Sequence, residues 1–363
     1  MREPAAAVCP SCSFEYAGDM WQLLYAGAAG GRKGVPESIR SHPLVFATLT
    51  APGFGPVHTT RADRSGESAR CRPARGTPRL CPHGWPSWCT AIHAEDDPRL
   101  GHPLCPDCYD YPGHIAFNWH APELWRRFTI TLRRVLARQT GLSAAEFARR
   151  CRVSFVKVAE FQRRGVVHFH ALIRLDGPGE DYQLPQLSID APGLAEGIRE
   201  AAAQVRLTVE TPGGPDLVLR FGTQLDTQTV NGGPSGELTP EHAARYIAKY
   251  AAKRADDFGL GQRRITPEAL PLLDVPDHVA SWSASPGDSV NTRLMTGCAA
   301  GSTCLAFEDI SLLRAAVIPP PSVRSAANAA PTASAKALNT SASCSTKTPL
   351  SSSRTGNSPG LAT

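Results

Sequence analysis

Residues 158–175 read VAEFQRRGVVHFHALIRL. Two apolar, β-rich runs, Val153–Phe161 and Val166–Leu175, flank Arg163-Arg164-Gly165. That pattern predicts a β-hairpin closed by a glycine turn. Side chains alternate along a strand, so His168 and His170 share one face. Two imidazoles at that spacing can chelate one divalent ion. A bare HxH is more often two ordinary histidines on a half-exposed strand. Here both sit in the apolar run VVHFHALI, where unpartnered histidines would carry a desolvation cost. A shared metal is the simpler account. Glu160 and Gln162 lie just before the turn, and Glu160 is the first choice for a third ligand. A carboxylate suits Mg²⁺ or Mn²⁺. A solvated hairpin glutamate fits the sequence equally well.

Working outward, Thr239-Pro240-Glu241 is a helix start, with Thr as N-cap and Pro at the first position. The helix is expected from about Pro240 to about Arg254. It carries Tyr246 and Tyr250 on one face, with Lys249 and Lys253 on a neighbouring one. A tyrosine is a poor nucleophile at its ordinary pKa near 10, and a nearby metal or lysine favours the phenolate. Core or surface tyrosines beside solvated lysines are the competing account. Upstream, Leu44–Thr50 (LVFATLT) is apolar and bracketed by Pro43 and Pro52, which predicts a buried strand. A helical stretch is expected around Met20–Ala28, and a strand near Leu217–Phe221. A helix opening at Pro122 is read from Trp125, Phe128, Leu132 and Val135, with arginines on its other side.

The chain has 363 residues, a net charge of +5, 11 Cys and 11 His. A mildly basic chain permits a nucleic-acid partner without requiring one. No apolar run approaches the roughly 18–20 residues of a membrane span. The opening MREPAAAVCPSC lacks a signal-peptide core. The expectation is a soluble, cytoplasmic protein. In a reducing compartment, clustered cysteines point to metal rather than disulfides. Seven of the 11 fall within residues 9–108. Cys9-Pro-Ser-Cys12 and Cys105-Pro-Asp-Cys108 are CxxC knuckles, with Cys71, Cys81, Cys89 and His93 between them, and His83 and His102 in reserve. Eight such ligands suit two tetrahedral zinc sites. The preferred pairing is Cys9, Cys12, Cys105 and Cys108 for one site, and Cys71, Cys81, Cys89 and His93 for the other. A single site of Cys81, Cys89, Cys105 and Cys108 is the fallback, and reduced thiols without metal remain an alternative. Cys151 reads as a core thiol.

Four regions follow: residues 1–66 with the first CxxC and the first strand, a Cys/His-rich insertion at 67–120, a core at 121–258, and a linker and tail at 259–363. In 281–363, Ser, Thr, Ala, Pro and Gly supply 52 of 83 residues. Such a segment buries too little apolar area to offset its ordering entropy. Disorder is expected there, apart from a short helix near Leu305–Ala316. Codons permitted for Leu305–Ser322, read one frame over, can encode LGFRGHFSTKSRRYSTTF. Those for Ser281–Val290 can encode QLVGVAWRLG. Both alternatives restore apolar and aromatic content, so a change of reading frame near residues 278–281 is inferred.

An HxH strand with a helix of paired YxxK repeats resembles the HUH endonucleases, specifically rolling-circle replication initiators of actinobacterial integrative and conjugative plasmids. LVFATLT resembles the family's first motif. Further matching stretches are KGVPESIRSHPLVFATLTAPGFGPVHT, LCPDCYDY, HAPELWRRFTITLRR, VAEFQRRGVVHFHALIRLDG and ARYIAKYAAK. The resemblance spans about residues 9–258. It implies an α+β fold, a largely antiparallel HUH-type sheet of about five strands with helices packed on one side; the zinc-bound insertion and the disordered tail read from the residues complete it. It implies a nuclease that nicks and closes DNA, specific for site and strand, through a 5′-phosphotyrosine, to start rolling-circle replication. His168 and His170 fall on the family's metal pair, with Glu160 beside them, and Tyr246 and Tyr250 on its nucleophile helix. Lys249 is set to contact the phosphate. Some members use two tyrosines in turn, and others one tyrosine and a water activated by a glutamate. Arg163, Arg164 and Lys253, with the arginines of 126–138, would follow the DNA backbone. A solvated helix face accounts for the latter arginines equally well. The implied cofactors are Mg²⁺ or Mn²⁺ and one or two structural Zn²⁺. The implied partners are origin DNA, single-stranded at the nick, and a host helicase and polymerase, with no membrane. The basic end of the alternative frame resembles the family's usual C-terminus, so the altered tail would put replication competence in doubt. Two rivals stand: an HUH relaxase or transposase, and a non-enzymatic zinc-dependent DNA-binding protein that needs Cys9–Cys108 but not the tyrosines.

Overall fold

A computed structural model describes residues 10–251, apart from 75, 180–181, 212–214 and 231–237. Cys9, Lys253, the expected helix end at Arg254, the short helix expected near Leu305–Ala316 and the rest of the tail lie outside the described residues.

The hairpin forms as its sequence predicts. Strands β2 (Arg152–Phe161) and β3 (Val167–Asp176) pair antiparallel, with Glu160 opposite His168 and Val158 opposite His170. Gly165 closes the turn at φ +78°, a region open to glycine. Its N–H donates to the Gln162 carbonyl at 2.7 Å, and the Gln162 N–H donates to Val166 at 2.9 Å. Strand β1 (Leu44–Leu49) lines the other edge of β3 and sets Thr48 opposite His170. Counting ahead in chain order, β4 (Leu207–Val209) and β5 (Leu217–Leu219) form a separate pair, and β6 (Leu225–Thr229) joins the outer edge of β1. The main sheet is therefore β2-β3-β1-β6. One sheet of about five strands was expected; the described residues divide into sheets of four and two.

Helices cover both faces of the main sheet, not one. Val45, Ala47 and Leu49 of β1 and Phe169, Ala171, Ile173 and Leu175 of β3 pack with α2 (Tyr111–Gln139) and α4 (Ala191–Gln204). The opposite parity, Leu44, Phe46, Val156, Val158 and Leu172, packs with α1 (Pro10–Ala29) and α5 (Pro240–Ala251). The reason is in β1 itself: it is apolar at both parities, so each face must be covered. A short α3 (Ala144–Arg150) opens on a Ser143–Glu146 capping box.

Helix α2 starts eleven residues before the expected Pro122, at Tyr111. Its cap is Asp110, whose carboxylate accepts from the Gly113 N–H at 2.8 Å, and the proline near its first turn is Pro112. Pro122 lies inside the helix. Helix α2 thus begins inside the expected Cys/His-rich region 67–120. Between β1 and α2 the described chain has only isolated bridges and a 3-10 turn at Pro106–Cys108.

A buried polar cluster ties the layers together. Asp176 is fully buried and accepts from Ser154 Oγ at 2.5 Å and from Arg174 Nε at 2.7 Å. His42 Nδ1 lies 2.8 Å from the same carboxylate. Arg174 also donates to the Gly27 carbonyl on α1.

Candidate active site and cysteine–histidine module

The register fixes the first constellation. Glu160 and His168 are direct cross-strand partners, and His170 is two residues on, so all three share the face toward α5. Glu160 Oε2 lies 2.7 Å from His168 Nε2 and 3.0 Å from His170 Nε2. The side chains are 12%, 14% and 4% exposed, respectively. One ligand atom from each falls within 4.8 Å of the others. Such a carboxylate–imidazole set fits a hard to borderline divalent cation. His168 Nδ1 is buried without a hydrogen-bond partner. His170 Nδ1 is 3.1 Å from Thr48 Oγ1. If that nitrogen donates to Thr48, Nε2 presents its lone pair to a metal.

Tyr246 meets this cluster from α5. Its ring centroid is 5.7 Å from that of His170, edge to face, and 5.3 Å from that of Phe46. Phe46 in turn stacks on His170. The tyrosine is 41% exposed, so its ring packs on the site while solvent still reaches it. The Thr239 cap that starts the helix is present, its hydroxyl accepting from the His242 N–H at 3.2 Å. Lys249 is exposed on the same helix. Of Tyr250 only its place in α5 is described.

The basic residues separate. Arg163 is exposed at the hairpin turn. Arg164 is half-buried, with its guanidinium 5.9 Å from the Phe54 ring centroid and its Nε donating to Gln162 at 2.8 Å. On α2, Arg126 and Arg127 pair with Glu123, and Arg138 with Glu200. That helix covers the face of the sheet opposite the histidines. Three of its arginines thus have carboxylate partners, away from the Tyr246 site.

The second constellation regroups the expected zinc ligands. One set is His58, Cys71, Cys89 and His93, and the other is Cys81, His83, Cys105 and Cys108. Cys81 therefore stands with the 105–108 knuckle rather than with Cys71, and His83 moves from reserve into a set. Cys9 is outside the described residues, and of Cys12 only its place in α1 is described, so their expected pairing with Cys105 and Cys108 is not placed. The knuckle geometry is local. Gly84 turns at φ +81°, the Cys81 N–H donates to the Trp85 carbonyl, and the Trp85 N–H points at Cys81 Sγ at 3.3 Å. Desolvation pushes the Cys81 thiol up, but backbone N–H groups near Trp85 and His83 and the neighbouring thiols outweigh it and bring it down to about 7.

Cys151 is buried, and desolvation, aided by Asp176, pushes its thiol up to about 12. It is a core residue. Sequence reasoning missed His58, Thr48 and Asp97 as members of these clusters. His58 stands 13 residues before Cys71, with no knuckle spacing to reveal it. Asp97 is four residues after His93, and that was the available signal.

Among known sequences, the family described as replication initiator protein of pSAM2 (RepSA) matches residues 2–286. A replication initiator protein of Streptomyces ambofaciens is 45% identical over 279 residues, covering 75% of this chain and 56% of the relative. The chain thus spans about half the length of that curated relative. No solved structure matches. Among the described residues, no helix is long and apolar enough to cross a membrane.

Proposed function

The chain belongs to the RepSA family of plasmid replication initiators, and from that premise we propose that it starts rolling-circle replication as an HUH endonuclease, nicking one origin strand with Tyr246. The observation that carries this reading is the Tyr246 ring packed on His170, on the face where Glu160 and His168 converge. The phenol oxygen attacks the scissile phosphorus, and the phenol proton passes to solvent. The bond from phosphorus to the 3′ oxygen breaks. That oxygen takes a proton and becomes a primer, while the 5′ phosphate stays on the tyrosine. The phosphotyrosine conserves the bond energy, so the reverse attack reseals the strand without ATP.

Glu160, His168 and His170 would hold Mg²⁺ or Mn²⁺, which when bound polarises a phosphoryl oxygen. Glu160 places its carboxylate between the two imidazoles, and Thr48 orients His170. Lys249, one turn beyond Tyr246, is placed to meet a backbone phosphate. Arg163, exposed at the tip of the hairpin, would contact the DNA backbone separately.

The test is incubation of the chain with single-stranded origin DNA and a gel assay for a covalent adduct. A metal-dependent adduct supports the reading. Its absence with Mg²⁺ and Mn²⁺, while DNA is still bound, favours a non-enzymatic DNA-binding protein. The same adduct on a transfer-origin or transposon end, but not on a replication origin, favours a relaxase or transposase.

A further inference from the structure

We propose that residues 57–108 hold two zinc ions in separate tetrahedral sites, and that the second site anchors the start of α2 and so the hairpin turn before His168. The first site is His58, Cys71, Cys89 and His93. His58 Nδ1 faces His93 Nε2 at 3.1 Å, and Cys89 Sγ lies 3.5 Å from the same nitrogen. The Thr59 N–H points at Cys71 Sγ at 3.3 Å. His93 Nδ1 lies 2.7 Å from Asp97 Oδ2, and Arg99 holds that carboxylate in turn. A carboxylate behind a histidine fixes which ring nitrogen is left for the metal.

The second site is Cys81, His83, Cys105 and Cys108. His83 Nδ1 lies 3.2 Å from Cys108 Sγ and 3.7 Å from Cys105 Sγ. Soft N/S donors in fours, each set within 4.8 Å, match zinc rather than magnesium or calcium. Among its described residues, the segment between β1 and α2 has no helix or strand beyond isolated bridges and one 3-10 turn, so metal supplies what a hydrophobic core would otherwise provide.

The coupling follows the chain. Cys108 leads directly into Tyr109 and Asp110, the latter being the cap of α2. His114, one turn on, sits 3.1 Å from the Tyr109 hydroxyl and 3.0 Å from the Gly165 carbonyl. Asn118 donates to the same carbonyl at 2.8 Å and accepts from the Val167 N–H at 3.0 Å. A second contact is Gly101, whose backbone lies so close to Arg163 that a Cβ would meet its carbonyl oxygen at 2.4 Å. The module therefore grips both ends of the turn that leads into His168. Its bearing on nicking rests on the function proposed above; the zinc sites do not.

The test uses the full chain. Elemental analysis should give two zinc ions per chain. Cobalt substitution should show two thiolate-bound Co²⁺ sites, one with two sulfurs and one with three. His58→Ala and His83→Ala should each remove one zinc, and His58→Cys and His83→Cys should retain two. Cys12→Ser, in α1, should also retain two. Hydrogen exchange across residues 165–168 should rise in His83→Ala and stay unchanged in Cys12→Ser. Fewer than two zinc ions in the parent chain, or zinc loss in Cys12→Ser, overturns the site assignment. Unchanged exchange in His83→Ala overturns the coupling to the hairpin.

Discussion

Glu160 Oε2 lies 2.7 Å from Nε2 of His168, its direct cross-strand partner. The pairing puts a carboxylate between two imidazoles. Replacing it with an amide takes the one carboxylate out of the ligand set and with it one negative charge. Glu160→Gln should therefore weaken Mn²⁺ binding more than Thr48→Val does. The Thr48 change removes only the partner of His170 Nδ1, and loss of such a support costs about 10–100-fold in metal affinity. Titration calorimetry with Mn²⁺ checks both, and equal affinity in all three proteins contradicts the ligand assignment.

Among the described side chains, the Tyr246 ring touches the histidine site. Tyr246→Phe keeps the ring packing on Phe46 and His170 but removes the phenol oxygen proposed to attack. It should reduce the covalent adduct with origin single strands strongly while leaving Mn²⁺ affinity unchanged. Tyr246→Phe with Tyr250→Phe should abolish the adduct. A persistent adduct in the double variant refutes tyrosine attachment.

How much was legible follows from how local each signal is. The HxH strand, the Gly165 turn and the Thr239 cap depend on neighbours in sequence, and all three are as read. Burial of Leu44–Leu49 was legible too, but its consequence was not. A strand apolar on both faces requires helices on both, and no single segment shows which helices supply the second layer. Pro122 misled because proline at a first turn is the commoner setting; here Asp110 and Pro112 start the helix earlier. The expected zinc ligands regrouped because residues 58 and 93 meet through loop folding that spacing does not encode. The four-residue set around Cys71 and Cys89 needed His58, which has no knuckle partner.

Asp176 makes a pH prediction. Burial alone would raise its carboxyl, but His42, Arg174 and Ser154 outweigh that and hold it well below the usual carboxylate range. A depressed carboxyl contributes stability that is present above its unfolded value, about 3.9. That stability is lost as pH falls through the folded value. Urea melts should thus show stability dropping below about pH 4. Asp176→Asn should flatten that dependence and cost about 3–5 kcal/mol at neutral pH, because it leaves Arg174 buried without its counter-charge. A variant as stable as the parent at pH 7 rules out a structural role for the cluster.

The family match reaches residue 286, a few residues beyond the frame change inferred at 278–281. The inference rests on the two alternative-frame segments, not on that match: resequencing the source DNA should find a second open frame through this region, encoding LGFRGHFSTKSRRYSTTF opposite Leu305–Ser322. An uninterrupted frame without that alternative removes the inference. The histidines, Tyr246 and both Cys/His sets precede residues 278–281, so such a change would leave them unaffected.

Asn118 bridges the turn from α2, with one end on the Gly165 carbonyl and the other on the Val167 N–H. The Gly165 carbonyl precedes β3 and keeps its contact with His114 Nε2, whereas the Val167 N–H stands at the first residue of the strand. Asn118→Ala leaves both without this partner, at a cost of about 1–3 kcal/mol. Asn118→Asp keeps the acceptor for Val167 but loses the donor to Gly165, so it should fall between the two. The loss has a functional edge, since His168 is the next residue along. Mn²⁺ affinity should fall in the order parent, Asn118→Asp, Asn118→Ala, although Asn118 touches no ligand atom. Stability lost with metal affinity intact would mean that Asn118 supports the fold without positioning the histidine.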